Sequence, residues 1–228
     1  MPLQRVSFVV PTGEIEGVLQ LPETTAIGGC TVLHGSGGHP EQAHIVATCT
    51  ALADAGIAAL RFAYRDSQPP NMTLDSALAD SAGATRLLKA HPDIPERLGV
   101  VGFSFGGTVA AITAGRDSRM RAAVLAAAPA MAQEHFKAWT SDGKWKPVAE
   151  LSRTRARVLF IWGSRDTQVP VDNAERYRAV LLQARVTNRL VIIEGGDHDF
   201  GPAKARAQMA ATVADWVRES FTETPQRG

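Results

Sequence analysis

Three residue types that together can move an acyl group stand far apart along this 228-residue chain: a serine flanked by glycines, an aspartate and a histidine. The serine is Ser104, in Gly102-Phe103-Ser104-Phe105-Gly106, which follows the apolar run Leu98-Gly99-Val100-Val101 and precedes the helix-like Gly107-Thr108-Val109-Ala110-Ala111-Ile112. A strand-to-helix turn sharp enough to expose that side chain needs glycines two residues to either side. A Cβ at those positions would strike the neighbouring strand or helix. A serine hydroxyl attacks a carbonyl well only when a base takes its proton. His198, in the glycine-rich turn Gly195-Gly196-Asp197-His198-Asp199-Phe200-Gly201, is the candidate base. Its imidazole needs a carboxylate to fix the tautomer and stabilise the imidazolium. Asp166, in Gly163-Ser164-Arg165-Asp166-Thr167-Gln168-Val169-Pro170, is favoured for that role. Asp197 and Asp199 stand too near His198 along the chain to reach its far ring nitrogen easily, and Glu194 is the second choice.

Acyl transfer also needs donors for a developing oxyanion. His34-Gly35-Ser36-Gly37-Gly38 supplies a glycine-rich turn, and the backbone amides of Ser36 and Phe105 are assigned as the pair. Such turns also bind dinucleotides, but Pro40 stands where the G-x-G-x-x-G pattern requires its third glycine. A phosphate-binding G-x-x-x-x-G-K-[ST] loop is missing as well, so no cofactor is expected. His34, His39 and His44 recur every five residues, which is not the spacing of a helical H-E-x-x-H zinc site, and no metal is expected. Phe136, Trp139 and Trp145 suit the wall of an acyl or alcohol pocket, and equally a core or lid. Arg61, Tyr64 and Arg65 suit either the mouth of the site or a solvated surface.

The elements that must position these residues follow from the apolar patterning. Val6, Phe8 and Val10 alternate, Pro11-Thr12-Gly13 turns the chain, and Ile15, Leu19 and Leu21 resume the period of two, so an antiparallel hairpin opens the chain. Short, continuously apolar strands then alternate with helices, the pattern of a mostly parallel sheet covered on both faces. The strands expected are Cys30–His34, Ala58–Phe62, Leu98–Gly102, Ala122–Ala127, Val158–Trp162 and Leu190–Ile193. Helices are expected over 42–55, ending at Gly56, over 73–90, and over 172–185 with Asp172 and Glu175 near a capping-box spacing. A last helix starts at Pro202 and presents Met209, Val213, Trp216 and Val217 as its core stripe. Residues 129–157 are too long for a simple connection and form a short excursion or lid, and the polar tail over 222–228 frays. The whole of 1–228 reads as one domain.

Composition narrows the classes further. Lys plus Arg number 24 against 23 Asp plus Glu, which argues against nucleic acid and against a polybasic membrane surface as partners. Cys30 and Cys49 cannot build a disulfide framework. No apolar stretch approaches the roughly 18 residues of a membrane-spanning helix, and the first residues lack a signal-peptide pattern, so a soluble cytoplasmic domain is expected. The oligomeric state is not legible.

On the elbow around Ser104, His34-Gly35, Asp166 with Val169-Pro170, and His198, the chain resembles the α/β-hydrolase superfamily over almost its whole length. Within it the chain looks most like compact dienelactone hydrolase-like and serine peptidase-like esterases. The resemblance implies an α/β fold with a mostly parallel eight-stranded sheet and the N-terminal hairpin as its first two strands. It implies Ser104 as nucleophile, His198 as base and Asp166 as the orienting acid, acting on a small-molecule carboxylic ester through an acyl-enzyme. Ser104 departs from true dienelactone hydrolases, which carry cysteine there, and His-Gly-Ser-Gly-Gly departs from the His-Gly-Gly-Gly of hormone-sensitive-lipase-like esterases. Lactone, thioester or peptide cleavage by the same triad, and a non-catalytic binding module on the same fold, stay open as alternatives.

Overall fold

The computed structural model describes residues 2–11, 13–65, 73–130 and 145–223. The hairpin forms as the alternation predicts, from β1 (Leu3–Val10) and β2 (Gly13–Gln20), with Phe8 opposite Ile15. Then come β3 (Gly29–Leu33), α1 (Ala43–Asp54), β4 (Ala58–Phe62), α2 (Leu74–Ala90), β5 (Leu98–Phe103), α3 (Phe105–Arg116) and β6 (Met120–Ala126). The chain continues through α4 (Pro147–Leu151), β7 (Arg157–Gly163), α5 (Asp172–Gln183), β8 (Asn188–Ile193) and α6 (Ala203–Thr222).

All eight strands join one sheet in the order β1-β2-β4-β3-β5-β6-β7-β8. β1 and β2 are antiparallel to each other, β2 is antiparallel to β4, and the rest run parallel. The central strands bury both faces: adjacent Val100 and Val101 of β5 enter separate cores. One core holds residues of α2, α3, α4 and α5, and the other holds residues of α1 and α6. Handedness explains that division. The chain steps from β3 outward to β4 and then back across to β5, so right-handed crossovers put α1 on one face and α2 on the other. The loops leaving β3 and β5 therefore diverge, and the crevice between their carboxyl ends is where open α/β sheets bind ligands.

Two local expectations change. Asp172 is the first residue of α5 rather than its cap; Val171 caps the helix without a side-chain hydrogen bond, because Pro170 already starts the turn. Asp172 and Glu175 instead put two negative charges in the first turn, where the helix dipole favours them. A true capping box stands at Thr73, whose hydroxyl accepts from the Ser76 amide while Ser76 Oγ accepts from the Thr73 amide. β8 is not covered on both faces; it is the edge strand and leaves Ile192 exposed. No helix among the described residues is long and apolar enough to cross a membrane. The 129–157 excursion contains α4 but otherwise falls mostly outside the described residues, as does the tail beyond Glu223.

The approach of α4 to α3 depends on Gly115. A Cβ there would meet the Glu150 carbonyl oxygen at 2.0 Å. Glycine-to-alanine changes inside helices normally gain up to about 1 kcal/mol. We expect Gly115→Ala to reverse that sign and cost roughly 1–3 kcal/mol by overpacking, read as a lower urea midpoint.

Candidate active site

Ser104 sits between β5 and α3 at φ 50° and ψ −119°, a conformation that side chains larger than glycine's seldom adopt. Such a residue costs about 1–3 kcal/mol and persists only when its surroundings overdetermine it. Here they do. The Ser104 amide donates to the Ala126 carbonyl at 2.8 Å, and the Ser104 carbonyl accepts from Gly107 and Thr108. A Cβ on Gly102 would lie 2.0 Å from the Gly106 oxygen, and one on Gly106 would lie 2.5 Å from the Leu33 oxygen. The glycines flanking the serine thus let strand, helix and β3 close on one another. Phe105, first residue of α3, carries its amide in the helix's N-terminal turn, where N–H groups point outward along the axis.

The acid and the imidazole come from loops after β7 and β8. These loops are stitched together: Arg165 donates to the Gly196 carbonyl, and the Gly195 amide donates to Ser164 Oγ. Gly163 and Gly196 approach so closely that a Cβ on Gly163 would lie 2.3 Å from the Gly196 oxygen. In that frame His198 Nδ1 lies 2.9 Å from Asp166 Oδ2. Asp166 Oδ1 accepts from the amides of Gln168 and Val169 at 2.9 and 3.0 Å. Burial pushes the Asp166 carboxyl up, but the His198 bond and these two amides outweigh it and hold the group below its ordinary range. An ionised carboxylate only accepts, so His198 Nδ1 is the donor in this bond. The rival carboxylate Asp197 is engaged in its own turn, accepting from the Gly201 amide at 2.7 Å.

The loop after β3 closes the opposite wall. Gly35 lies close against Ser104, since a Cβ on it would be 3.3 Å from Ser104 Cβ. His34 is fully buried and uses both ring nitrogens: Nδ1 donates to the Gly35 carbonyl at 2.7 Å and Nε2 accepts from the Tyr64 amide at 3.4 Å. Burial lowers its pKa, consistent with a neutral ring. Ser36 stands half-buried at the crest of this loop. Ser36, Ser104 and His198 line one cavity of about 300 Å³, together with Gln42, His44, Gln168 and Asp199.

The structure thus brings Ser104, His198, Asp166 and Ser36 to the carboxyl edge of the sheet. Phe136 and Trp139 lie outside the described residues. Trp145 is buried in the core; its Nε1 donates to Asp75, and the Arg116 guanidinium stacks 4.2 Å from its ring. It is not among the residues lining the cavity around Ser104. Arg61 and Tyr64 are not mouth residues: both are buried, and Arg65 is tied to the buried Asp80. Arg61 reaches beneath the β3 loop to Glu41, with Nε and Nη2 at 3.2 and 3.4 Å from its carboxylate. The signal for this anchor was an arginine inside the apolar strand Ala58-Ala59-Leu60-Arg61-Phe62, since a buried guanidinium requires a partner. Among the described residues no group of three or more His, Cys, Asp or Glu is placed to hold a metal ion.

Because the Asp166 carboxyl is depressed in the folded protein, its contribution to stability is complete above the unfolded pKa of about 4 and is lost as pH falls through the folded value. We expect the stability gap between the parent and Asp166→Asn, measured by urea unfolding, to narrow from pH 6 to pH 3.

The model of the prolyl oligopeptidase family matches residues 74–224. A curated relative from Synechocystis sp., provisionally named carboxymethylenebutenolidase, is 22% identical over 148 residues; the match covers 63% of this chain and 58% of that protein's length. Among solved structures, Est1E from Butyrivibrio proteoclasticus superposes with a TM-score of 0.80 at 17% identity, covering 96% of this chain and 99% of that one. A dienelactone hydrolase from Anabaena variabilis superposes with a TM-score of 0.75 at 22% identity, covering 94% and 96%. The eight-stranded sheet, its antiparallel opening hairpin and the family match agree. The chain belongs to the prolyl oligopeptidase family and has the α/β-hydrolase fold.

Proposed function

We propose that the protein hydrolyses a small carboxylic ester through Ser104, His198 and Asp166. The observation that carries this reading is the 2.9 Å bond that orients His198 on Asp166, with the imidazole and the strained Ser104 facing one cavity. Ser104 Oγ attacks the acyl carbon as His198 Nε2 takes the hydroxyl proton, and Asp166 stabilises the imidazolium. The amides of Ser36 and Phe105 bind the oxyanion of the tetrahedral intermediate. Collapse breaks the bond to the alkoxy oxygen, which leaves with the proton returned by His198. Water, deprotonated by the same Nε2, then attacks the acyl-enzyme and frees the acid and Ser104.

Peptide cleavage, which the family's name describes, would pass through an equivalent intermediate. Esters are intrinsically more reactive than amides towards any such nucleophile, so the amide alone separates the two readings: no turnover of a matched amide or peptide above background fits this proposal, and sustained amide turnover fits peptide cleavage. The direct test is Ser104→Ala against p-nitrophenyl acetate. We expect kcat to fall by roughly 10⁴-fold or more with the fold retained by circular dichroism. A variant within tenfold of the parent would remove Ser104 from the mechanism.

A further inference from the structure

The triad leaves one histidine of the cavity without a role. His44, near the start of α1, is 4% exposed, lines the same cavity as Ser104 and His198, and packs its ring 4.8 Å from that of Phe103. Its ring nitrogens have no hydrogen-bond partner among the described residues, unlike those of buried His34. The ring nitrogens are not sealed off, so their hydrogen bonds come from water in the cleft or from whatever displaces it. Burial pushes its pKa down to about 4, with the Asp199 carboxylate only partly opposing. The ring is therefore neutral near pH 7, with one N–H to give and one lone pair to accept.

The neighbours of His44 indicate what it meets. His198 must return its proton to the departing oxygen, so the leaving group lies on the His198 side of Ser104. His44 stands within electrostatic reach of both His198 and Asp199, and Gln42 and Gln168 line the same cavity. Gln42 Oε1 accepts from the His39 amide, which leaves its NH₂ as the remaining donor. The Asp199 carboxylate opposes an anionic group, and at about 300 Å³ the cavity is at the small end for ligand sites.

We infer that this cleft is a leaving-group subsite for a compact, uncharged alcohol bearing a further hydroxyl, and that His44 hydrogen-bonds that hydroxyl. The inference rests on the reading of Ser104 as nucleophile. It makes the preferred substrates esters of small polyols rather than of plain alkanols or of carboxylate-bearing alcohols.

The test compares glycerol monoacetate with n-propyl acetate, which share the acyl group and differ in the alcohol's hydroxyls, by pH-stat titration. The parent protein should favour the glycerol ester in kcat/KM by about tenfold or more, because a site built to bond a hydroxyl rejects the analogue lacking it. His44→Phe, which keeps a ring against Phe103, should cut that ratio about tenfold, and His44→Gln, which keeps a donor and an acceptor, should retain most of it. A parent ratio near one, or a ratio unmoved in both variants, overturns the subsite. Mass spectrometry after reaction with a short-chain phosphonate separates the two readings. An adduct on Ser104 with an unmoved ratio removes only the subsite, whereas no adduct and no cleavage of either ester removes the nucleophile as well.

Discussion

Ser104 is held at a positive φ by close backbone approach, and the site depends on that strain being borne elsewhere. A serine in an ordinary turn would keep its hydroxyl among neighbouring backbone groups. Here the chain reverses from β5 into α3 within one residue, and the hydroxyl stands above the sheet edge. The conformation survives because Gly102, Gly106 and Gly107 let β5, α3, the end of β3 and the segment after β6 pack at distances that exclude any Cβ. Burial of Val100, Val101, Phe105 and Val109 around the turn offsets the local cost. A gain in conformational freedom at Ser104 would therefore come with a loosened core beneath it.

Around that fixed point, several side chains are held by hydrogen bonds that fix their orientation. Ionised Asp166 only accepts, so His198 donates to it from Nδ1. His34, buried and neutral, spends both nitrogens on backbone and so fixes where the β3 loop begins. Arg61 and Glu41 tie the far end of that loop to β4. The loops after β7 and β8 share hydrogen bonds, which tie the segments carrying Asp166 and His198 to each other. On the proposed reading, groups held this way need little reorganisation when charge develops.

Much of this was legible in the residue order, and the limits have physical causes. Continuous apolar runs marked β3 to β7 because strands covered on both faces have no polar side to show; β8 read the same way, yet it is an edge strand whose Ile192 faces solvent. Ser104, Asp166 and His198 could be picked out because each follows a strand and is bracketed by glycines or turn residues. Partners set by long-range approach were hidden. Nothing near Arg61 in sequence announces Glu41, and nothing near His44 announces Phe103 or the cavity. The Asp172 spacing does not mark the cap of α5, because Val171 already has helical dihedrals and the Asn173 amide bonds the Pro170 carbonyl. Trp145 read as readily as a pocket wall as a core residue; its indole bond to Asp75 and the Arg116 stacking arise only in the folded packing.

The central claim is that Ser104, His198 and two backbone amides converge on one reacting carbon. A crystal structure of the protein inactivated by a short-chain phosphonate tests it in a single image. Phosphorus should be bonded to Ser104 Oγ, with its phosphoryl oxygen within about 3 Å of the Ser36 and Phe105 nitrogens and the alkoxy side turned toward His198. Phosphorus attached to another residue, or a phosphoryl oxygen pointing away from both amides, would contradict it.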